Sequence, residues 1–319
     1  MRAAGNEKEM WVMRLSVMVF GLVCVCALVI GTAAPLIQDD DDVRGAFLTS
    51  RPKDKPASSG TTARPSHRKP KPAGGGSTSS GSSSSGSSNP GPTHPAKPDK
   101  TPNKPGPSTP VNARRMGLGV TLFMRDSNGL AVRVDPEHTF QKGDRVRVLL
   151  ETNADGYLYI FNTTDDSPAT MIYPDAELDE GGNYLQAHVP FEIPSSVSTD
   201  ERLRWFTFDQ VAGTEHLFFV FTREPLNGVP IEDDLIALCK DSKCPVKPSA
   251  EVWEVVQKQL QEPLKTDKTQ QFGDAQTASE KQATARGIGL SKEDPPPSLV
   301  MMASSSRSTL VATLDLLHK

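Results

Sequence analysis

The sequence lacks the short motifs that identify most enzymes. It has no G-x-S-x-G, no H-E-x-x-H and no glycine-rich phosphate loop, so no motif points to a serine hydrolase, a zinc peptidase or a nucleotide-binding protein. Histidine is also scarce, with six in the chain, and His138, His188 and His216 lie in the part expected to fold. We interpret these three as ordinary histidines at strand edges and in loops. An unrecognised hydrolase that uses His188 or His216 is the alternative.

Apolar side chains are missing from a long stretch near the amino terminus. Residues 51–110 contain no Leu, Ile, Val, Met or aromatic residue, but 13 of the 27 Pro lie there. A segment of this composition cannot bury enough apolar surface to offset its ordering entropy. Its centre, residues 74–91, is nearly pure Gly and Ser and is typical of flexible coil. We therefore predict a long disordered linker over residues 35–112.

Positive charge is concentrated in this linker. Residues 51–112 carry ten Lys or Arg against two Asp, whereas residues 113–319 have a net charge of −10 and the whole chain one of −4. A nucleic-acid-binding domain presents a basic face, so an acidic body argues against nucleic acid as a partner. The basic linker has two interpretations: contact with an anionic envelope polymer or lipid head group, or a soluble spacer that its charge keeps extended.

An apolar run near the amino terminus predicts export. Residues 15–30 are almost entirely apolar, Arg14 precedes them and small residues follow them, which is the pattern of a secretory signal. We predict a signal peptide or signal anchor within residues 1–34, and the small-x-small rule places cleavage between Ala33 and Ala34. The alternative is an uncleaved single-pass anchor, because 20 residues can span a bilayer. Both interpretations place the body in the periplasm, at the cell surface or outside the cell, with membrane contact only through this segment.

Cysteine usage agrees with export. Outside the apolar run the chain has Cys239 and Cys244, separated by a short polar turn. This separation allows a local disulfide, which an oxidising compartment favours. Zinc or redox use is the alternative, although no second Cys or His pair stands at ligand spacing.

From residue 113 onward the sequence alternates with a period of two. Successive runs such as LGVTLFM, RVRVLLE, YLYIFNTT and HLFFVFT are bounded by Gly, Pro, Asp or Ser. In RVRVLLE the alternation predicts that Arg147 and Glu151 point to water, and in YLYIFNTT both faces are apolar, which indicates a central strand. The predicted fold of residues 113–319 is all-β, an antiparallel β-sandwich of general immunoglobulin-like architecture.

One stretch of the body does not follow this pattern. We predict a helical and polar insertion at about residues 231–296, with helices over 232–240 and 250–260, the second capped by Ser249. Residues 265–282 are polar and predicted to be mobile. Residues 298–303 and 309–317 are predicted to form a final hairpin.

The order of motifs in the body resembles a known bacterial family, the domain of unknown function 4384 (DUF4384). Its pattern occurs here as Gly143-Asp144, 153–159, Tyr173-Pro174 and Ile193-Pro194, and further on as 213–215 and 223–226. The resemblance covers about a third of the chain, and the closing segment is similar to the way secreted members end. It implies a mostly-β accessory module, exported alone or attached to peptidase or kinase domains, and it supplies no catalytic residue.

Two groups of residues are candidate binding sites. Asp175, Glu177 and Asp179 precede a glycine pair as in a calcium loop, but no closing bidentate Glu follows, and a solvated acidic loop is the alternative. Otherwise no cofactor is expected. The aromatic residues Tyr157, Tyr159 and Trp205, together with Phe206, would stack on a sugar if they shared an exposed face; as alternating strand residues they are expected in the core.

These observations favour an exported, non-catalytic β-sandwich module on a flexible tether that binds a protein or a cell-envelope polymer. A carbohydrate-binding module is the first alternative, and an unrecognised hydrolase is the second.

Overall fold

The structure is a computed structural model, and it describes residues 42–54, 67–70 and 115–319. The predicted signal segment, with Ala33 and Ala34 at its cleavage point, lies outside these residues. None of the helices in the described ranges has the length and apolar character needed to cross a bilayer.

The residues that the structure describes form twelve strands and four α-helices, with short 3-10 helices at Asp179–Gly181 and Glu201–Arg204. In chain order these are α1 (Val43–Leu48), β1 (Gly117–Arg125), β2 (Ala131–Arg133), β3 (Arg145–Thr152), β4 (Gly156–Thr164), β5 (Thr170–Tyr173), β6 (Tyr184–Leu185), β7 (Phe191–Ile193), β8 (Phe206–Thr207), β9 (Gly213–Thr222), α2 (Glu232–Lys240), α3 (Ala250–Leu260), β10 (Leu264–Lys268), α4 (Ala278–Arg286), β11 (Leu299–Ala303) and β12 (Thr309–His318).

The strands form two antiparallel sheets, which confirms the predicted all-β sandwich. The first sheet has the order β10-β11-β1-β3-β7, with β2 paired to β1 and β8 to β3. The second has the order β12-β9-β4-β5, with β6 paired to β4. Between them lies one apolar core to which nearly every strand contributes, including Leu118, Leu150, Ile160 and Phe219, each fully buried. The period-two pattern produces this core because alternate side chains of each strand point to the same face.

A helical layer covers the outer face of the second sheet. Strand β4 is central, as predicted, and its Tyr159 and Phe161 point outward into a second apolar cluster. Helices α2 and α3 close that cluster with Leu235 and Val256. The α3 helix begins as predicted, because the Ser249 hydroxyl accepts a hydrogen bond from the Val252 amide.

The outer face of the first sheet is covered by polar segments, and here the prediction for β3 is wrong. Arg147 and Glu151 were expected in water, but they are 6% and 2% exposed. Arg147 donates a hydrogen bond to Glu192 on β7 (3.4 Å) and lies over the ring of Trp205 (4.0 Å). Periodicity shows which side chains share a face; it does not show whether another segment covers that face.

The expected mobile stretch at 265–282 is also ordered. Strand β10 pairs with β11 at the sheet edge, and α4 packs its Glu280, 1% exposed, against Arg133 of β2. Thr277 and Glu280 cap this helix reciprocally. Polar residues of this stretch therefore form a buried ion pair and a helix cap. A count of apolar residues does not reveal either of these contacts.

The predicted closing hairpin does not form. Strand β11 pairs with β1 in the first sheet, whereas β12 pairs along its whole length with β9 in the second. The serine-rich turn between them carries the chain from one sheet to the other. The local sequence predicts a turn whether the two strands pair with each other or belong to different sheets. Which arrangement forms depends on the strands with which β11 and β12 pair.

Two parts of the predicted linker belong to the folded body. Phe47 of α1 is fully buried against Val300 and Met302 of β11, and Arg51 is 3% exposed. Residues 67–70 run along the second sheet, where the Tyr184 amide donates to the His67 carbonyl (2.6 Å). The apolar-poor composition begins only at residue 51, so it never applied to α1, and it does not predict the contacts that Arg51 and residues 67–70 make through polar groups.

Candidate functional site

The predicted disulfide is present at the end of α2. Cys239 at the end of α2 is bonded to Cys244, with 4.9 Å between the Cα atoms. The bond closes the short loop that connects α2 to the segment leading into α3.

The aromatic residues considered for sugar stacking do not form an exposed face. Tyr157 and Tyr159 are 4% and 0% exposed, and the Tyr159 hydroxyl accepts a hydrogen bond from the Leu226 amide (2.8 Å). Trp205 is 9% exposed with its ring against Arg147, and Phe206 packs against the inter-sheet core. Sugar stacking by these rings would require them to leave the core.

In the acidic loop, the Asp175 carboxylate accepts hydrogen bonds from the backbone of its own turn. Its Oδ1 atom accepts hydrogen bonds from the amides of Glu177 (2.7 Å) and Leu178 (3.2 Å). Among the side chains that the structure describes, which do not include Asp179, no three acidic, His or Cys groups lie close enough to hold a metal ion. Calcium binding here stays a prediction.

A buried chain of polar groups joins the amino-terminal segment to the first sheet. Ser50 Oγ lies 2.7 Å from His188 Nε2, and His188 Nδ1 lies 2.7 Å from Glu151 Oε1. Arg51 binds the same carboxylate through two nitrogens, at 2.8 and 2.5 Å. His188 has a φ of 60°, a left-handed conformation that is uncommon outside glycine. Its amide donates to the Thr152 carbonyl (2.7 Å).

The order serine, histidine, carboxylate is that of a serine hydrolase, but two features disfavour a nucleophilic Ser50. Its hydroxyl has one proton, and the Phe47 carbonyl, at 3.0 Å, competes with His188 for it. Ser50 also follows the carboxyl end of α1, where the helix dipole is negative and opposes a developing oxyanion. The arrangement fits a clamp that holds residues 42–54 on the sheet.

A second candidate site is a cleft between the two sheets, at the end where β4 and β12 finish and β9 begins. Its volume is about 210 Å³. The polar side chains that line it include Asn162, Glu215 and His318. Its apolar walls are formed by Val146, Ile172, Phe206, Phe208, Leu217 and Leu316.

The three polar side chains form a short chain in the cleft. Glu215 accepts a hydrogen bond from Asn162 Nδ2 (2.8 Å), and its other oxygen lies 3.6 Å from His318 Nε2. Within the described part of the chain, neither ring nitrogen of His318 has a hydrogen-bond partner, and the same holds for Asn162 Oδ1. The His318 side chain is 3% exposed and that of Glu215 24%. A buried imidazole without a hydrogen bond is unusual, because buried polar groups normally find partners.

The comparisons with known proteins identify one segment of the chain. The family model "Domain of unknown function (DUF4384)" matches residues 139–225. Residues 139–225 are similar to this family, and we call them the DUF4384 segment. No curated protein and no solved structure matches the chain.

The DUF4384 segment accounts for part of each candidate site. It contains Asn162 and Glu215 of the cleft, but His318 comes from β12, beyond the matched residues. It also contains Glu151 and His188, whereas Ser50 comes from the amino-terminal segment. Both sites are therefore completed by parts of the chain outside the DUF4384 match.

Sequence reasoning did not select the cleft residues, although the signal was available. Each stands on the inward face of its strand, two positions from a buried apolar residue of the same face; these neighbours are Ile160 for Asn162, Leu217 for Glu215 and Leu316 for His318. A polar residue that follows the core-facing apolar residues of a strand, at the same alternate spacing, lies at the edge of the core. Only the structure shows that β4, β9 and β12 are adjacent, so the sequence marks the three positions but does not show that they share one site.

Proposed function

We propose that this protein is an exported, non-catalytic binding module, and that it recognises an envelope component through the cleft at Asn162, Glu215 and His318. One observation carries the proposal: a buried histidine with no hydrogen-bond partner faces a cavity of about 210 Å³ with apolar walls. Ligand sites commonly combine an apolar cavity with a few convergent polar groups. Among the described residues, α2 and α3 pack on the outer face of the second sheet and α1 packs on β11 of the first, whereas the cleft opens at one end of the sandwich.

Export is supported by the apolar amino-terminal run and by the Cys239–Cys244 disulfide. Disulfides persist in oxidising compartments and are rare in the cytosol. Fractionation of tagged full-length protein, with sequencing of its mature amino terminus, tests this part. A mature form that begins at Ala34 confirms a cleaved signal, and recovery in the cytosol with an intact amino terminus overturns export.

The binding role is tested by retention on envelope material. Tagged full-length protein, a His318→Leu variant and a His216→Ala control are compared for retention by an envelope fraction. His216 is on β9 next to Glu215 but pairs with Asp315 outside the cleft (2.8 Å). We expect His318→Leu to lose retention and His216→Ala to keep it. Equal retention of all three proteins excludes the cleft, and no retention of the wild type overturns the binding role.

A second candidate, a hydrolase, is favoured by the Ser50–His188–Glu151 geometry. Hydrolysis of p-nitrophenyl acetate by the wild type and by a Ser50→Ala variant tests it. A rate above background that Ser50→Ala abolishes would establish the hydrolase. Equal rates would leave the clamp as the role of these residues.

A further inference from the structure

We propose that the cleft between the sheets binds the primary ammonium group of an alkylamine. This assignment rests on the proposed binding role, and it names the chemistry of the ligand. It follows from the charge of the lining, from the hydrogen-bonding groups left open, and from the shape and polarity of the walls.

The charge of the lining favours a cation. Two carboxylates, Asp209 and Glu215, line the cleft, and the other lining residues include no Lys or Arg. Glu215 is partly withdrawn from water, with a side-chain exposure of 24%, so its charge is screened less than that of a surface carboxylate. An anionic ligand would meet two like charges, whereas a cation would offset them.

The open hydrogen-bonding groups suit three donors. The cleft holds the Glu215 carboxylate, which accepts hydrogen bonds from Asn162 (2.8 Å) and Thr164 (3.0 and 3.1 Å) and has lone pairs left. It also holds Asn162 Oδ1 and the ring nitrogens of His318, which have no hydrogen-bond partner among the described residues. Glu215 lies between the other two residues, 2.8 Å from Asn162 Nδ2 and 3.6 Å from His318 Nε2. A primary ammonium has three N–H donors and no acceptor. It can therefore donate to more than one of these acceptors, whereas a quaternary ammonium has no N–H to donate.

The walls suit an alkyl stem. Phe206 and Phe208 line the cleft with Leu217 and Leu316, and aromatic faces attract a nearby cation. A flexible four-carbon stem that ends in an ammonium, as in lysine, buries its methylenes on such a surface and keeps its charge at the polar end. The ligand is thus either a free alkylamine or a lysine side chain presented by a partner.

Calorimetric titration of the full-length protein tests the assignment. The probes are n-butylamine and a short peptide with one central lysine, against butyrate, N-butylacetamide and n-butyltrimethylammonium. We expect the amine or the lysine peptide to bind at least about tenfold more tightly than the other three. Binding of both probes means that the head group and stem suffice, binding of the amine alone identifies a small-molecule ligand, and binding of the peptide alone identifies a lysine of a partner.

A variant with the same shape separates charge from packing. Glu215→Gln should weaken binding of the ammonium probe about tenfold or more, whereas Asp315→Asn on the opposite face should leave it unchanged. Equal or tighter binding of butyrate, of the amide or of the quaternary ammonium overturns the assignment, as does a Glu215→Gln variant that binds normally. If no ammonium probe binds but His318→Leu still abolishes envelope retention, the ligand class is wrong and the proposed binding role stands.

Discussion

Replacing Arg51 by leucine should release the amino-terminal segment from the sheet. The Arg51 guanidinium is 1% exposed and binds Glu151 through two nitrogens. It also donates to the backbone carbonyls of Ser291 (3.2 Å), Asp294 (2.9 Å) and Pro295 (3.1 Å). Removing one partner of a buried pair costs about 3–5 kcal/mol, because the other charge stays buried. The loss in stability cannot exceed the free energy needed to detach residues 42–54 from the sheet. Detachment returns Glu151 to water and so removes the penalty of its unpaired buried charge.

Urea denaturation of the full-length protein measures this loss. At an m value of about 2.5 kcal/mol/M, a loss of about 3–5 kcal/mol lowers the midpoint by about 1–2 M. Limited proteolysis should cut Arg51→Leu near α1 at urea concentrations where the wild type resists. Arg51→Lys should recover little of the stability, because an ammonium cannot replace the planar fork.

The matched control is Arg202→Leu. Arg202 pairs with Asp200 (2.8 Å), but its side chain is 89% exposed, so we expect no measurable change in the midpoint. If Arg51→Leu shifts the midpoint no further than Arg202→Leu, the buried pair does not hold the segment and our reasoning about the outer face of the first sheet is refuted.

Three further predictions concern the second sheet and its cover. Reduction, or replacement of Cys239 and Cys244 by serine, should cost about 2 kcal/mol from loop-closure entropy; an unchanged melting temperature would contradict this. Gly156→Ala should destabilise by about 1–3 kcal/mol, because the added methyl would lie 2.4 Å from a backbone oxygen of β9; unfolding curves that superimpose on the wild type would refute the close contact. Burial of Tyr184, with Asp155 beside it, raises its pKa to about 12 from 10.0. Its stabilising contribution should therefore be complete below pH 10 and disappear as the pH rises toward 12, and tyrosinate absorbance of the wild type and Tyr184→Phe measures the titration.

The sequence predicted the strands of the body and the two helices of its insertion because their signals are local. Alternation in β4 indicated a strand buried on both sides, and Ser249 indicated the start of α3. The two positions of Cys239 and Cys244 were enough to predict their bond. The motif order also identified the DUF4384 segment, which the family match at 139–225 confirms.

The candidate sites were less predictable because their members are far apart in sequence. Ser50 and His188 are separated by 138 positions, yet their side chains are 2.7 Å apart. His318 reaches Glu215 only because β12 pairs with β9 and not with β11, as the predicted hairpin required. A residue's partners across a sheet depend on strand order, and period-two alternation contains no information about strand order.

By itself the sequence determined which parts of the body form strands, which faces of those strands are apolar, and where the apolar-poor spacer begins. Those properties follow from the polarity and conformational preferences of neighbouring residues, which act over a few positions. The tertiary structure alone decided that the charged face of the first sheet is buried, that residues 42–54 cover it, and that Asn162, Glu215 and His318 share one cleft. Burial of a charge depends on which distant segment supplies its partner, and that choice is made by the packing of the whole body.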